Sequence, residues 1–293
     1  MAFGQTKTKE DITKTTTGGP MQSAPTQGTN VTKIHAGPPA ALADKLKADS
    51  GKGVSTDQAD NQVPLIYVLQ PLSPQVDKRD PRYIEGAEAG DIWLRGAPSP
   101  IVKGDEGIVF QPCSFWHDVG EWIPRDDGGG FVARHKTLPA NAVKTVDPKN
   151  PALVKFRTPD GNELVETRNH AGYVVTADGP IPYVLPLTST GHSTSRSWMF
   201  MMNSQRGPDG SKPPSWACVY RLKTIQKKNK KGSWFVLVAE NGGDHGQTRW
   251  VDTVEDYERG SALYEAFASG QKQAEAPVAD VGASDDQDGP VPF

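Results

Sequence analysis

Ala217-Cys218-Val219-Tyr220-Arg221-Leu222-Lys223-Thr224-Ile225-Gln226 and Ser233-Trp234-Phe235-Val236-Leu237-Val238-Ala239-Glu240 are two β-branched and aromatic runs. The turn between them carries Lys227, Lys228, Lys230 and Lys231 around Asn229 and closes at Gly232. Such runs flanking a polar, Gly-containing turn predict a β-hairpin. Side chains two apart in a strand share a face, so Tyr220, Leu222 and Thr224 are expected on one side and Arg221, Lys223 and Ile225 on the other. Trp234 and Phe235 fall one to each face. This is the clearest element in the chain, and it predicts a fold built mainly from strands.

Working outward, Gly107–His117 reads as a strand, and Glu121–Pro124 continues or pairs with it. Leu153–Arg157 and Asn162–Thr167 flank Pro159-Asp160-Gly161, a strong turn signal. Ala171–Ala177 and Tyr183–Thr188 are further strands. Residues 124–152, with Asp126-Asp127-Gly128-Gly129-Gly130 and several Pro and Asn, read as a long loop. The hydroxyl-rich Thr190–Ser195 starts a helix through Trp198-Met199-Phe200-Met201-Met202, a packing segment. Val254–Ser269 is a terminal helix ending at Gly270. Short strands with one internal and one C-terminal helix predict a mainly β fold with minor α, an OB-fold-like small barrel with insertions. A sandwich fits the same strand count.

Composition divides the 293 residues into three. Residues 1–61 form a low-complexity arm and residues 271–293 an acidic tail; both are too poor in apolar residues to offset the entropy of ordering and are expected to be disordered. The foldable body is 62–270. Net charge is +1 over 1–61, +4 over 62–251 and −8 over 252–293, while residues 196–249 alone reach +7. A basic body beside an acidic tail suggests an anionic ligand for the body, with the tail competing or recruiting partners. Two cysteines make no disulfide framework, and no apolar run has the length of a signal peptide core or a membrane span, so a cytoplasmic protein is expected.

Catalytic motifs are missing from the pattern. There is no phosphate-cradling Gly loop ending in Lys-Ser/Thr and no dinucleotide fingerprint. Cys113 and His117 have the spacing of half a zinc site, but no second pair accompanies them. The expectation is a non-enzyme with no cofactor and no metal. The basic hairpin points instead to single-stranded nucleic acid, because cations track phosphates and aromatic faces stack on unpaired bases. The candidate DNA-binding residues are Trp216, Tyr220, Arg221, Lys223, Lys227, Lys228, Lys230, Lys231 and Trp234. Arg79, Arg82, Arg125, Arg134 and Arg157 form a second tier, and Trp116 and Trp122 read as structural.

The chain's end, Asp285-Asp286-Gln287-Asp288-Gly289-Pro290-Val291-Pro292-Phe293, resembles the tip of bacterial-type single-stranded DNA-binding proteins, with Val291 where isoleucine is usual and Gly289-Pro290 interrupting the acid. In that family the body is an OB-fold and the tip docks onto replication and repair enzymes. The resemblance thus implies a partner-binding role for Asp285, Asp286, Asp288, Val291, Pro292 and Phe293. The body is similar to single-stranded DNA-binding type proteins of tailed bacteriophages through Pro64–Gln75, Tyr83-Ile84-Glu85-Gly86, Ser189-Thr190-Gly191 and Ser195-Arg196. Together these imply a protein that coats single-stranded DNA during phage replication or recombination, working in the host cytoplasm with phage or host replication and recombination proteins. The rivals are a virion structural or assembly protein and a metal-dependent nuclease.

Overall fold

The computed structural model describes residues 40–49, 52–53, 61–147, 150–177, 179–230 and 232–278. The chain divides into two units, Met1–Ser55 and Thr56–Phe293. In the first, the described part is a short helix α1 (Ala43–Ala48) within the arm that composition reads as unfolded.

The second unit is mainly β, with its large sheet curled into a half barrel. It opens with β1 (Gln62–Val63), β2 (Ile66–Val68), β3 (Ile92–Leu94) and β4 (Ile101–Val102), of which the last three form a small antiparallel sheet. The long strand β5 (Ile108–Ile123) follows, then β6 (Gly130–His135), β7 (Val143–Asp147), β8 (Asn150–Arg157), β9 (Glu163–Thr176) and β10 (Gly179–Thr188). After helix α2 (Gly191–Ser204) come the hairpin strands β11 (Cys218–Asn229) and β12 (Gly232–Asn241), the short β13 (Arg249–Trp250), helix α3 (Val254–Ala268) and β14 (Gln273–Ala274). The large sheet runs β12-β11-β5-β9-β8-β7, with β10 also on β9 and β6 on β5.

The segment 124–152 is therefore not a loop. It holds β6, β7 and the start of β8, because Phe131–His135 folds back on the end of β5 and Val143–Val146 pairs with β8, its neighbour in the chain. Composition hides these hairpins because β6 and β7 are short, largely exposed and set among Gly, Pro and Asn. After α3 the chain also stays on the body beyond residue 270: β14 pairs in parallel with β1, Ala274 is buried, and the Val278 N–H donates to the Tyr67 hydroxyl at 3.0 Å.

Strand β5 bends at a register shift between Pro112 and Ser114, where proline has no N–H to give the ladder. Gly172 lies opposite Pro112, and a Cβ there would run into the Gln111 carbonyl and the Phe110 ring. Glycine is thus required for the two strands to close across the bulge. Phe110, Val174, Tyr183, Leu185, Trp198, Tyr220 and Leu222 form the main core beneath α2. A second core gathers Leu65, Tyr67, Leu69, Ala171 and Val184, with Trp116 and Phe267 packed against it.

Helix α3 starts with a reciprocal cap. The Thr253 hydroxyl accepts from the Asp256 N–H at 3.0 Å and donates to the Asp256 carboxylate at 2.7 Å. The Gln111 amide pins this helix to the sheet by donating to the Trp216 and Asp256 carbonyls at 2.9 and 3.0 Å.

Candidate nucleic-acid interface

The predicted hairpin is present and longer than expected. Pairing runs from Tyr220↔Asn241 to Asn229↔Gly232, which leaves a two-residue turn. Lys227 and Lys228 therefore stand on a strand, not in a turn, and Lys230 lies at the tip; all three are exposed. Lys231 lies outside the described residues, as do Asp285, Asp286, Asp288, Val291, Pro292 and Phe293.

Directly paired residues share a face of an antiparallel sheet. Arg221, Lys223, Ile225 and Lys227 oppose Glu240, Val238, Val236 and Trp234, so all eight project from one face. The row continues across the sheet, because Arg221 pairs with Val109 and Val109 with Val175. This face is outside the core: Arg221 and Lys227 are exposed, Ile225 is 38% exposed and Val175 43%. Trp234 is half-buried, and its indole Nε1 is shielded without an acceptor. Lys223 lies 3.7 Å from Glu240, a partly exposed pair that water screens. The surface is a cation-bordered apolar strip, wide enough in residue types to hold both phosphates and bases.

Two of the expected residues do not belong to it. Tyr220 is 1% exposed and packs edge-on against Trp198 at 5.8 Å. Burial pushes its hydroxyl pKa well above the usual phenol range. Its ring is core, and the strand's two-residue period puts it on the face opposite Arg221. Trp216 is caught between the sheet and α3, with ring centroids 5.2 Å from Tyr264 and 6.1 Å from Tyr257. Helix α3 covers one side of the ring and leaves it half-buried, against α3 and away from the row that carries Arg221.

Four of the second-tier arginines are ion-paired, Arg79 with its side chain still exposed. Arg79 pairs with Asp77, Arg82 with Asp80, Arg157 with Glu163 and Arg134 with Asp118, at 3.0–3.3 Å. Cys113 is buried, with its thiol pKa pushed up to about 12 by burial, and its Sγ lies 3.4 Å from the Gln111 carbonyl. Among the described residues no three His, Cys, Asp or Glu side chains gather to hold a metal ion. His170 and Ser195 form a 2.9 Å hydrogen bond, but both are fully buried and the imidazole stacks on Trp198 at 4.5 Å.

A trough of about 180 Å³ lies along the free edge of β12. Its walls come from β2, the far ends of β5 and β9, β6, β10 and the start of α2. Trp122 meets Phe131 edge-on at 5.3 Å on one side, and Phe235 lines another. Gln70 closes part of the β12 edge: its amide donates to the Phe235 carbonyl at 2.9 Å and accepts from the Phe235 N–H at 3.0 Å. Sequence reasoning missed this trough because its residues come from six separated segments. The available signals were Ser189-Thr190-Gly191 and Pro64–Gln75, whose resemblance carried no chemistry.

The chain matches the family described as Pam3 phage gp34-like protein over residues 30–273, and it belongs to that family of phage proteins. No curated protein matches it, and no solved structure does. None of the described helices is long and apolar enough to cross a membrane.

Proposed function

We propose that this phage protein is a non-catalytic single-stranded DNA-binding protein of replication or recombination, working in the host cytoplasm. The observation that carries the reading is the register of β11 and β12. It sets Arg221, Lys223 and Lys227 on the same outward face as Trp234 and Ile225. Phosphates follow the cations and unstacked bases lie on the apolar strip, an arrangement tolerant of sequence because every base has an apolar face. Duplex DNA hides its bases and gains only the electrostatic part of this surface. Lys228 and Lys230 extend the positive field at the hairpin tip.

The acidic segment from 252 onward supports the second half of the reading. Its Val291-Pro292-Phe293 end is taken by replication or recombination proteins, phage or host, and its carboxylates compete with DNA for the basic face. Removing residues 281–293 tightens DNA binding and abolishes partner capture; weaker DNA binding by the truncated chain would refute the competition.

The direct test is a gel shift comparing single-stranded with duplex DNA at two salt concentrations. Reversing Lys223, Lys227, Lys228 and Lys230 to glutamate is expected to weaken single-strand binding by roughly 100-fold. It should also lower the salt slope by about 2–3, at ~0.7 per lost phosphate contact. An unchanged slope removes the hairpin from the interface.

A further inference from the structure

We infer that the trough beside β12 is a second, separate site that binds one nucleoside monophosphate unit, either free or as the 5′-phosphorylated end of a strand. Two independent features point to an acceptor-bearing ligand. Asn169 lines the trough, is 1% exposed, and its side-chain Nδ2 has no partner. A buried donor left unpaired is costly unless something in the trough accepts from it. The 14-residue helix α2 also begins here, with Thr188, Ser189, Thr190 and Gly191 in the wall and no side-chain cap on its first turn. The His192 N–H is taken by the Ser189 carbonyl at 3.0 Å, but the helix start has no side-chain cap, and its dipole suits a phosphate.

The remaining walls suit a flat ring. Trp122 and Phe131 form an aromatic corner, and Phe235 and Pro186 add apolar surface. The two carboxylates in the lining are already engaged, Asp118 by Arg134 at 3.3 Å and Glu163 by Arg157 at 3.0 Å, so they offset little of the attraction for an anion. The volume of about 180 Å³ is that of about six waters at ~30 Å³ each, which accepts the ring or the phosphate of a single unit, leaves the rest of that unit toward solvent, and has no room for a run of them.

This site does not depend on the hairpin reading, and the experiment separates the two. Calorimetry on the full chain compares deoxyadenosine monophosphate, deoxyadenosine and inorganic phosphate. The monophosphate is expected to bind at least about tenfold more tightly than either fragment, as a charge-assisted hydrogen bond and a ring contact together imply. Asn169→Asp, which places a like charge at the phosphate or ring acceptor, should lose that binding. Trp122→Leu, at the half-buried wall, should weaken it by about tenfold even if the Asn169 variant fails to fold. Oligothymidylates with and without a 5′-phosphate distinguish the two sources. A preference for the phosphorylated end assigns the site to strand ends, and monophosphate binding without that preference assigns it to free nucleotide. Absence of heat with the monophosphate overturns the site, as does phosphate binding as tightly as the monophosphate. The glutamate reversals on β11 and at the hairpin tip should leave monophosphate affinity unchanged, so failure of DNA coating and failure of this site give different patterns.

Discussion

The two faces of the β11–β12 hairpin are made of residues one position apart in sequence and opposite in fate. Tyr220, Leu222 and Leu237 on the inner face are buried against α2 and β5. Arg221, Lys223, Ile225, Lys227 and Trp234 on the outer face meet water or half-meet it. The strands supply both faces at once, because their side chains alternate. The lesson is that cations and aromatics interleaved in sequence are not interleaved in space: Tyr220, next to Arg221 in the chain, is held by the core, while Trp234, far from Arg221, shares its surface.

Breaking the inner face has the largest expected effect. Tyr220→Ala should destabilise the fold by about 3–5 kcal/mol, measured by urea unfolding, through lost packing against Trp198. Tyr220→Phe should leave single-strand affinity unchanged; a loss there would return Tyr220 to the interface.

The inner side also sets a pH dependence. Burial first, then Arg168 and His117, lower the His170 pKa from 6.5 to about 3. As the pH falls below about 6.5 the unfolded chain takes up a proton that the folded chain refuses. The stability linked to His170 is therefore fully present above about pH 6.5 and is lost progressively toward about pH 3. The loss is at most about 1.4 kcal/mol per pH unit. Urea unfolding at about pH 7 and about pH 5 should show this slope, and His170→Phe should flatten it. An equal slope in the variant would place the titration elsewhere.

The outer face is sharpened by comparing Trp234, within the hairpin, with Trp216, just before it. Trp234→Ala should cost about 1–3 kcal/mol of single-strand affinity, the range for one stacked base. Trp216→Ala should leave DNA binding intact at a temperature where the fold holds, and lower the melting temperature, since its ring is packed under α3. The reverse pattern would exchange their roles.

Much of this fold is legible along the chain because the signals are local. The hairpin, the α2 start at the hydroxyl-rich Thr190 region and the Thr253 cap of α3 all depend on neighbours within a few residues. Strands β6 and β7 are not, although their partners β5 and β8 adjoin them in the chain, because short, largely exposed segments flanked by Gly and Pro carry little apolar pattern to mark them as strands.

The same division runs through the surfaces. Residue period and charge, both properties of adjacent positions, by themselves determined the mainly β class, the basic hairpin and the contrast between basic body and acidic end. Only the tertiary structure decided which aromatic is core and which is surface. That depends on where α2 and α3 come to rest, and their docking rests on long-range contacts such as Gln111 to Asp256 and Thr194 to Leu237. The trough likewise exists only once six separated segments converge, so the unpaired amide of Asn169 has no signature in the chain itself.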